Sequence, residues 1–460
     1  MEFEHTEGVF SRRMENELAM TSSRPDASQE GEFAVPASTE ANSGEHLQPN
    51  LQVTKIPLRL WPAILLTGVV AGLVGGLLMK LLRIVQHVCY HYASGDFLSS
   101  VEGVSGTRRF IVVTSAGVLA GIVLLLVRRI RDNEGPGLNE SIWNHNGELP
   151  QRSMTVKALL SIVTVGMGAA LGREGALKEF GGIAALRVAR GFAITPEQRK
   201  LLVACGVGAG MSAAYNVPLG GALFILEVLL GTVSLQAALA AFTTCFLATA
   251  VSWLLLPNVP TYQIPYLPVT LSLLVFALVS GPLMGLASVL FVRGVHWARN
   301  CKPLGPFIVL LPIMVFAALG AASIEWPALL GNGKNVIQLA FDARLNGGLL
   351  VLLLVLRPIA TIACLRAGAP GGLFTPTMTL GALLGAGLGE GWAHLWARAD
   401  KRSCALIGAG AVLAASTQAP ISSVAFALEL TYSMNSLIVP LLLATCGAVV
   451  TFRLFHTKPS

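Results

Sequence analysis

The chain has 460 residues and a formal net charge of +7; 53% of its residues are hydrophobic, only 12% are charged, and the mean hydropathy is +0.66. Soluble domains carry about 25% charged residues, so this composition excludes an ordinary soluble globular protein and points to a polytopic membrane protein. The surplus Lys and Arg are scattered at the ends of apolar runs, as at Arg128, Arg129 and Arg131, with no basic stripe interleaved with aromatics; nucleic acid is thereby excluded as a partner, and membrane lipid is the expected surrounding.

Residues 1–53 are polar, rich in Glu, Ser, Asn and Pro, and too poor in large apolar side chains to bury a core, so a disordered tail is expected there. It has neither the basic start nor the short apolar run of a secretory signal. Spans are expected at Ala63 to Leu82, Phe110 to Val127, Ala237 to Leu256 and Leu271 to Phe291, several of which reach the roughly 20 residues needed to cross a bilayer. Val156 to Leu171, Val203 to Tyr215 and Leu349 to Leu356 are shorter, the first two with glycine interruptions. They read as tilted or partly penetrating helices that must be buried in protein. The proline-rich stretch Pro257 to Pro268 is the weakest join. It divides one membrane domain, residues 54–460, into halves of about 54–260 and 261–460, with no C-terminal soluble domain expected. Arg453, His456 and Lys458 favour a cytoplasmic C-terminus.

The halves are copies. Gly172-Arg173-Glu174-Gly175-Ala176 and Gly372-Leu373-Phe374-Thr375-Pro376 lie 200 positions apart (172 to 372). Gly206, Gly208, Ala213, Pro218, Phe224, Leu226 and Glu227 then recur 202 positions later as Gly408, Gly410, Ala415, Pro420, Phe426, Leu428 and Glu429. Duplicated halves in an apolar chain commonly enclose a ligand site where broken helices meet.

Glu174 stands between glycines after the run Gly168-Ala169-Ala170-Leu171, just before another helical stretch. Glycines let backbone amides approach a ligand, and a helix starting there would aim its N–H groups and positive dipole end at the same point. That arrangement attracts a chloride-sized anion and equally the neighbouring carboxylate, so Glu174 is expected to compete with an anion for one location. Burial would disfavour its charged form and the amides would favour it. The second patch has the same logic without a carboxylate: Pro376 suits a first helical turn, and the amides of Leu373 and Phe374 would face the anion. No Lys-Ser or Lys-Thr follows to make it a nucleotide loop. A third cluster, Gly135-Pro136-Gly137-Leu138-Asn139, reads by itself as a turn. The eight histidines form no cluster and the seven cysteines show no CxxC or Cys/His spacing, so no metal, cofactor or enzyme activity is expected.

At these residues the chain resembles the CLC family of chloride channels and chloride/proton exchangers. Gly172 to Ala176 matches its glycine-arginine-glutamate-glycine-proline motif except at Ala176, and Gly372 to Pro376 matches glycine-x-phenylalanine-x-proline. The resemblance runs from about Leu58 to Ser460 and includes Asn216-Val217-Pro218 and Gly331-Asn332-Gly333. It implies an all-α membrane fold of two inverted-topology repeats, a multi-pass inner-membrane homodimer, and chloride or another small monovalent anion as the transported ligand. In it Glu174 is the gating residue, Gly172, Arg173, Gly175, Gly372, Leu373, Phe374, Gly135, Pro136 and Gly137 bind the anion, and Lys157 and Arg173 add positive potential. The closest likeness is to the bacterial members described as voltage-gated chloride channels.

Four departures bear on what is expected. Pro136 replaces a serine whose hydroxyl usually contacts the anion, a change that accompanies nitrate preference in some plant members. Val228 occupies the position where exchangers carry an inner glutamate, which favours a channel over tight proton coupling; a proton path from Glu174 would need Glu227 or water. Glu227 and its repeat mate Glu429 read as carboxylates that cap or brace helices. The chain ends before the C-terminal tyrosine that the family presents to the anion, so either that ligand is missing or the sequence is truncated, and Lys178 and Glu179 stand where the family is mostly uncharged.

Overall fold

The structure is a computed structural model describing residues 56–456 apart from 94, 130–136, 266–267, 302, 397–399 and 433–436. The expected polar tail and the glycine-proline pair Gly135-Pro136 therefore lie outside the described residues. Among those described there are seventeen α-helices. In the first half they are α1 (Trp61–Tyr90), α2 (Phe97–Glu102), α3 (Gly106–Val127), α4 (Leu138–Asn144), α5 (Gln151–Gly166), α6 (Glu174–Arg190), α7 (Pro196–Tyr215), α8 (Pro218–Phe224) and α9 (Leu235–Ser252). The second half holds α10 (Leu271–Asn300), α11 (Phe307–Glu325), α12 (Lys334–Phe341), α13 (Gly347–Arg366), α14 (Phe374–Leu395), α15 (Lys401–Thr417), α16 (Pro420–Thr431) and α17 (Ile438–Phe455). Apart from α2, each first-half helix has a second-half mate in the same order: α1 and α10 are both 30 residues long, and α6 and α14 begin 200 positions apart.

Seven helices, α1, α3, α9, α10, α11, α13 and α17, are long and apolar enough to cross a membrane. Exposed leucines such as Leu65, Leu77, Leu278 and Leu290 stud the outer ones, the surface that lipid requires. Several expected bounds shift by a few residues, and one segment differs in kind. The run Leu349 to Leu356 is part of a full-length span, α13, that continues through Arg357 and Pro358 to Arg366. The charge is accommodated because Arg357 is buried and its Nη1 donates to the carbonyls of Leu329 (2.8 Å) and Gly331 (2.9 Å). A buried cation with such partners ends no helix.

The centre is built from α7 and α15, where every residue from Leu201 to Ala213 and from Ser403 to Ala415 is buried. Their glycines exist for close crossing: a Cβ on Gly181 of α6 would run into the Gly206 carbonyl of α7, and on Gly381 of α14 into the Gly408 carbonyl of α15. Repeat mates thus make the same contact twice. They also meet one another, since Gly172 and Gly372 exchange both backbone hydrogen bonds at 2.8 Å and the rings of Phe224 and Phe426 lie 6.3 Å apart. Glu227 Oε1 and Oε2 accept from the amides of Ile421 (3.0 Å) and Ser422 (2.7 Å) at the start of α16. Glu429 does the same for Leu219 (2.9 Å) and Gly220 (2.6 Å) at the start of α8. Each carboxylate caps a helix of the opposite half, satisfying amides that would otherwise have no partner. These reciprocal pairs define a pseudo-two-fold axis, the signature of an inverted repeat.

Candidate functional site

Two broken helices supply the site. Both α5 and α13 stop short of their motifs, the chain reverses through Gly168 (φ 112°) and Gly368 (φ 80°), and α6 and α14 start at Glu174 and Phe374. Positive φ at both reversals is affordable only without a Cβ. The reciprocal Gly172–Gly372 pairing then brings the two helix starts together, and Gly175 packs against the Gly372 amide, where a Cβ would sit at 3.1 Å.

The Glu174 side chain folds back over this pair of glycines. It is 1% exposed, and a Cβ on either Gly172 or Gly372 would collide with its carboxyl group. Oε1 accepts from the Thr375 amide in the first turn of α14 (3.2 Å), while Oε2 accepts from the Tyr215 hydroxyl (3.0 Å) and, longer, from the Thr375 hydroxyl (3.4 Å). The carboxylate therefore supplies the negative group at the N-terminus of a helix contributed by the opposite half. Tyr215 is itself fixed: its hydroxyl also lies 3.1 Å from Thr375 Oγ1, the Arg173 guanidinium stacks 4.7 Å above its ring, and Phe374 lies 5.9 Å away.

Two cavities border this hydrogen-bonded group. A vestibule of about 700 Å³ is lined by Tyr215 and by Arg83, Arg173, Lys334 and Arg357, with Asp96 and Asp342. A smaller cavity of about 70 Å³ is lined by Glu174, Leu373 and Phe374, with Lys178, Thr377 and Ser416. Water takes about 30 Å³ in the liquid, so the smaller space suits one or two water-sized species.

Of the residues singled out by sequence, Glu174, Gly172, Gly175, Gly372, Leu373 and Phe374 come together here, and Arg173 borders the vestibule. Gly137 is the N-cap of α4, whose Asn139 reaches the small cavity; Gly135 and Pro136 lie outside the described residues. Lys157, in α5, lines neither cavity. Glu227 is engaged in capping α16, whereas Val228, beside it in a π-helical turn (Ile225–Leu229), lines the small cavity. Sequence reasoning passed over Tyr215, Thr375 and Ser416. A signal existed for the first: Tyr215 is the sole aromatic in the Gly/Ala-rich α7.

Comparison with known proteins agrees with this architecture. A family model described as voltage gated chloride channel matches residues 116–453. The chain is 29% identical over 443 residues to an H(+)/Cl(-) exchange transporter ClcA of Klebsiella pneumoniae, covering 90% of each chain. It is also 30% identical over 375 residues to a voltage-gated ClC-type chloride channel ClcB of Escherichia coli, covering 79% of this chain and 88% of that one. Among solved structures, a slow cyanobacterial Cl-/H+ antiporter superposes with a TM-score of 0.77 at 21% identity, covering 88% of this chain and 96% of the other. A CLC-type fluoride/proton antiporter superposes with a TM-score of 0.71 at 18% identity, covering 87% and 98%. With the duplicated halves, the paired helix starts and these matches in hand, the chain belongs to the voltage-gated chloride channel family and has the all-helical fold of the CLC transporters.

Proposed function

We propose that the protein moves chloride across a membrane in exchange for protons, with Glu174 as the group that both species must displace or modify. The observation that carries this reading is the position of the Glu174 carboxylate, held by Thr375 and Tyr215 at the start of α14. A chloride ion entering from either cavity needs the same donors, so carboxylate and chloride compete. Protonation of Glu174 removes its charge and with it most of its attraction to the helix start, so arrival of a proton frees the position for chloride. One side chain thereby links the two fluxes. Passage requires sites that are favourable to enter and weak enough to leave, which backbone amides provide. Relatives named H(+)/Cl(-) exchange transporters support exchange, and the reading includes the inner-membrane homodimer that the family resemblance implies.

A second reading, a gated chloride channel, is favoured by Val228 and Glu227. An aliphatic side chain carries no proton, and both oxygens of Glu227 are committed to α16 amides. Relatives named as ClC-type chloride channels fit it as well. The two separate in proteoliposomes loaded with chloride and diluted into low chloride at equal pH. Exchange predicts proton movement driven by the chloride gradient and a reversal potential displaced from the chloride equilibrium value. Chloride efflux with no associated proton movement refutes exchange and leaves the channel; absence of chloride flux refutes both.

A further inference from the structure

The small cavity has a polar wall to which the competition at Glu174 assigns no part. Lys178 follows Glu174 by one turn of α6, so the two side chains share a helix face. It is half-buried, its ammonium lies 5.9 Å from the centroid of the Phe224 ring, and it lines the cavity beside Phe374 and Thr377. Ser416, 8% exposed, lines the same space, and its hydroxyl is buried with no hydrogen-bond partner among the described residues. A buried hydroxyl without a partner costs on the order of a lost hydrogen bond, and its presence against a cavity wall is accounted for by a ligand in the cavity. Met211, Phe291, Val292 and Val295 form the apolar part of the remaining wall, to which Asn139 and Thr417 add polar side chains.

We infer that Lys178 and Ser416 are the affinity-determining ligands of a monovalent-anion subsite in the small cavity, with the ammonium providing a fixed positive charge and the hydroxyl donating to the anion. This rests on the proposed chloride transport, whose competition at Glu174 needs no such charge. A fixed cation changes the character of the path. The anion that leaves the α14 helix start is caught one turn further along, and its release becomes slow, because permeation demands binding weak enough to escape. Thus Lys178 tightens binding and limits turnover, and its loss moves the two in opposite directions. A residue that served only to pack α6 would lower both activity and affinity, or neither.

The test is chloride binding by calorimetry on purified protein, with initial efflux rates from proteoliposomes over a range of internal chloride. K178M is expected to raise the dissociation constant and the half-saturating concentration about tenfold or more, the usual size for losing a hydrogen bond to a charged group. Its rate at saturating chloride should exceed that of the wild type. K178R, which keeps the charge, should stay close to wild-type affinity. S416A, which removes the hydroxyl that donates to the anion, should weaken binding about tenfold and does not depend on K178M being well folded. Wild-type affinity in both K178M and S416A overturns the inference while leaving transport intact. A wild-type protein that neither binds nor moves chloride overturns the proposed function instead.

Discussion

Removing one hydroxyl, that of Tyr215, isolates the grip on the Glu174 carboxylate. Tyr215→Phe keeps the ring that Arg173 covers at 4.7 Å and that Phe374 approaches at 5.9 Å, and deletes only the 3.0 Å donor to Oε2. A hydrogen bond to a charged group contributes about 1.5–3 kcal/mol. Here the lower end applies, because the Thr375 hydroxyl already lies 3.4 Å from the same oxygen and can take over part of the role. About 1.5 kcal/mol is roughly tenfold, and because chloride in this position would use the same hydroxyl, that figure is the ceiling on the shift in the competition between carboxylate and chloride. The expected outcome is initial chloride efflux faster than wild type at neutral pH, by no more than about tenfold, with fewer protons moved per chloride, since chloride then displaces a carboxylate that has not been protonated. Efflux from proteoliposomes read by a chloride electrode, with external pH recorded in parallel, measures both quantities. Unchanged efflux and an unchanged proton ratio in well-folded Y215F would refute the assignment of Tyr215 as a restraint on Glu174.

Three other perturbations probe the frame around the site. Glu227→Ala leaves the amides of Ile421 and Ser422 without an acceptor and should cost about 1–2 kcal/mol, seen as a lower thermal midpoint, while the proton-to-chloride ratio stays at the wild-type value. Collapse of that ratio without loss of stability would make Glu227 a proton carrier and not a cap. Glu429→Ala, which strips the caps from Leu219 and Gly220, should lower the midpoint by a similar amount, as the pseudo-symmetry demands. Gly206→Val drives a side chain into Ala185 and the Gly181 carbonyl, and overpacking of this kind costs about 1–3 kcal/mol or more; a stable, fully active G206V in a melting assay would contradict the close α6–α7 crossing.

Much of the architecture was legible because the duplication leaves residues of unusual type at fixed spacing. Gly172, Gly372, Pro218 and Pro420 mark helix starts through backbone requirements that few other residues meet, and the match of Glu227 with Glu429 already suggested capping. What was not legible depends on contacts between distant positions. Tyr215 and Thr375 lie 41 and 201 residues from Glu174, and nothing local in either says that its hydroxyl turns toward that carboxylate. The extent of α13 was misjudged because Arg357 and Pro358 look like helix stops until the carbonyls of Leu329 and Gly331 are seen to receive the guanidinium. Lys178 stood out as a charge in an apolar setting, but only the cavity gives it something to act on.

The central claim is that the Glu174 carboxylate and the transported anion occupy one position. Crystals of Glu174→Ala grown in bromide, with anomalous scattering used to locate the ion, test it most directly. The account predicts a bromide beside the Thr375 amide and the Tyr215 hydroxyl, where the carboxylate oxygens now lie. Bromide bound elsewhere in the path, with that position unoccupied in a variant that still conducts, would contradict it.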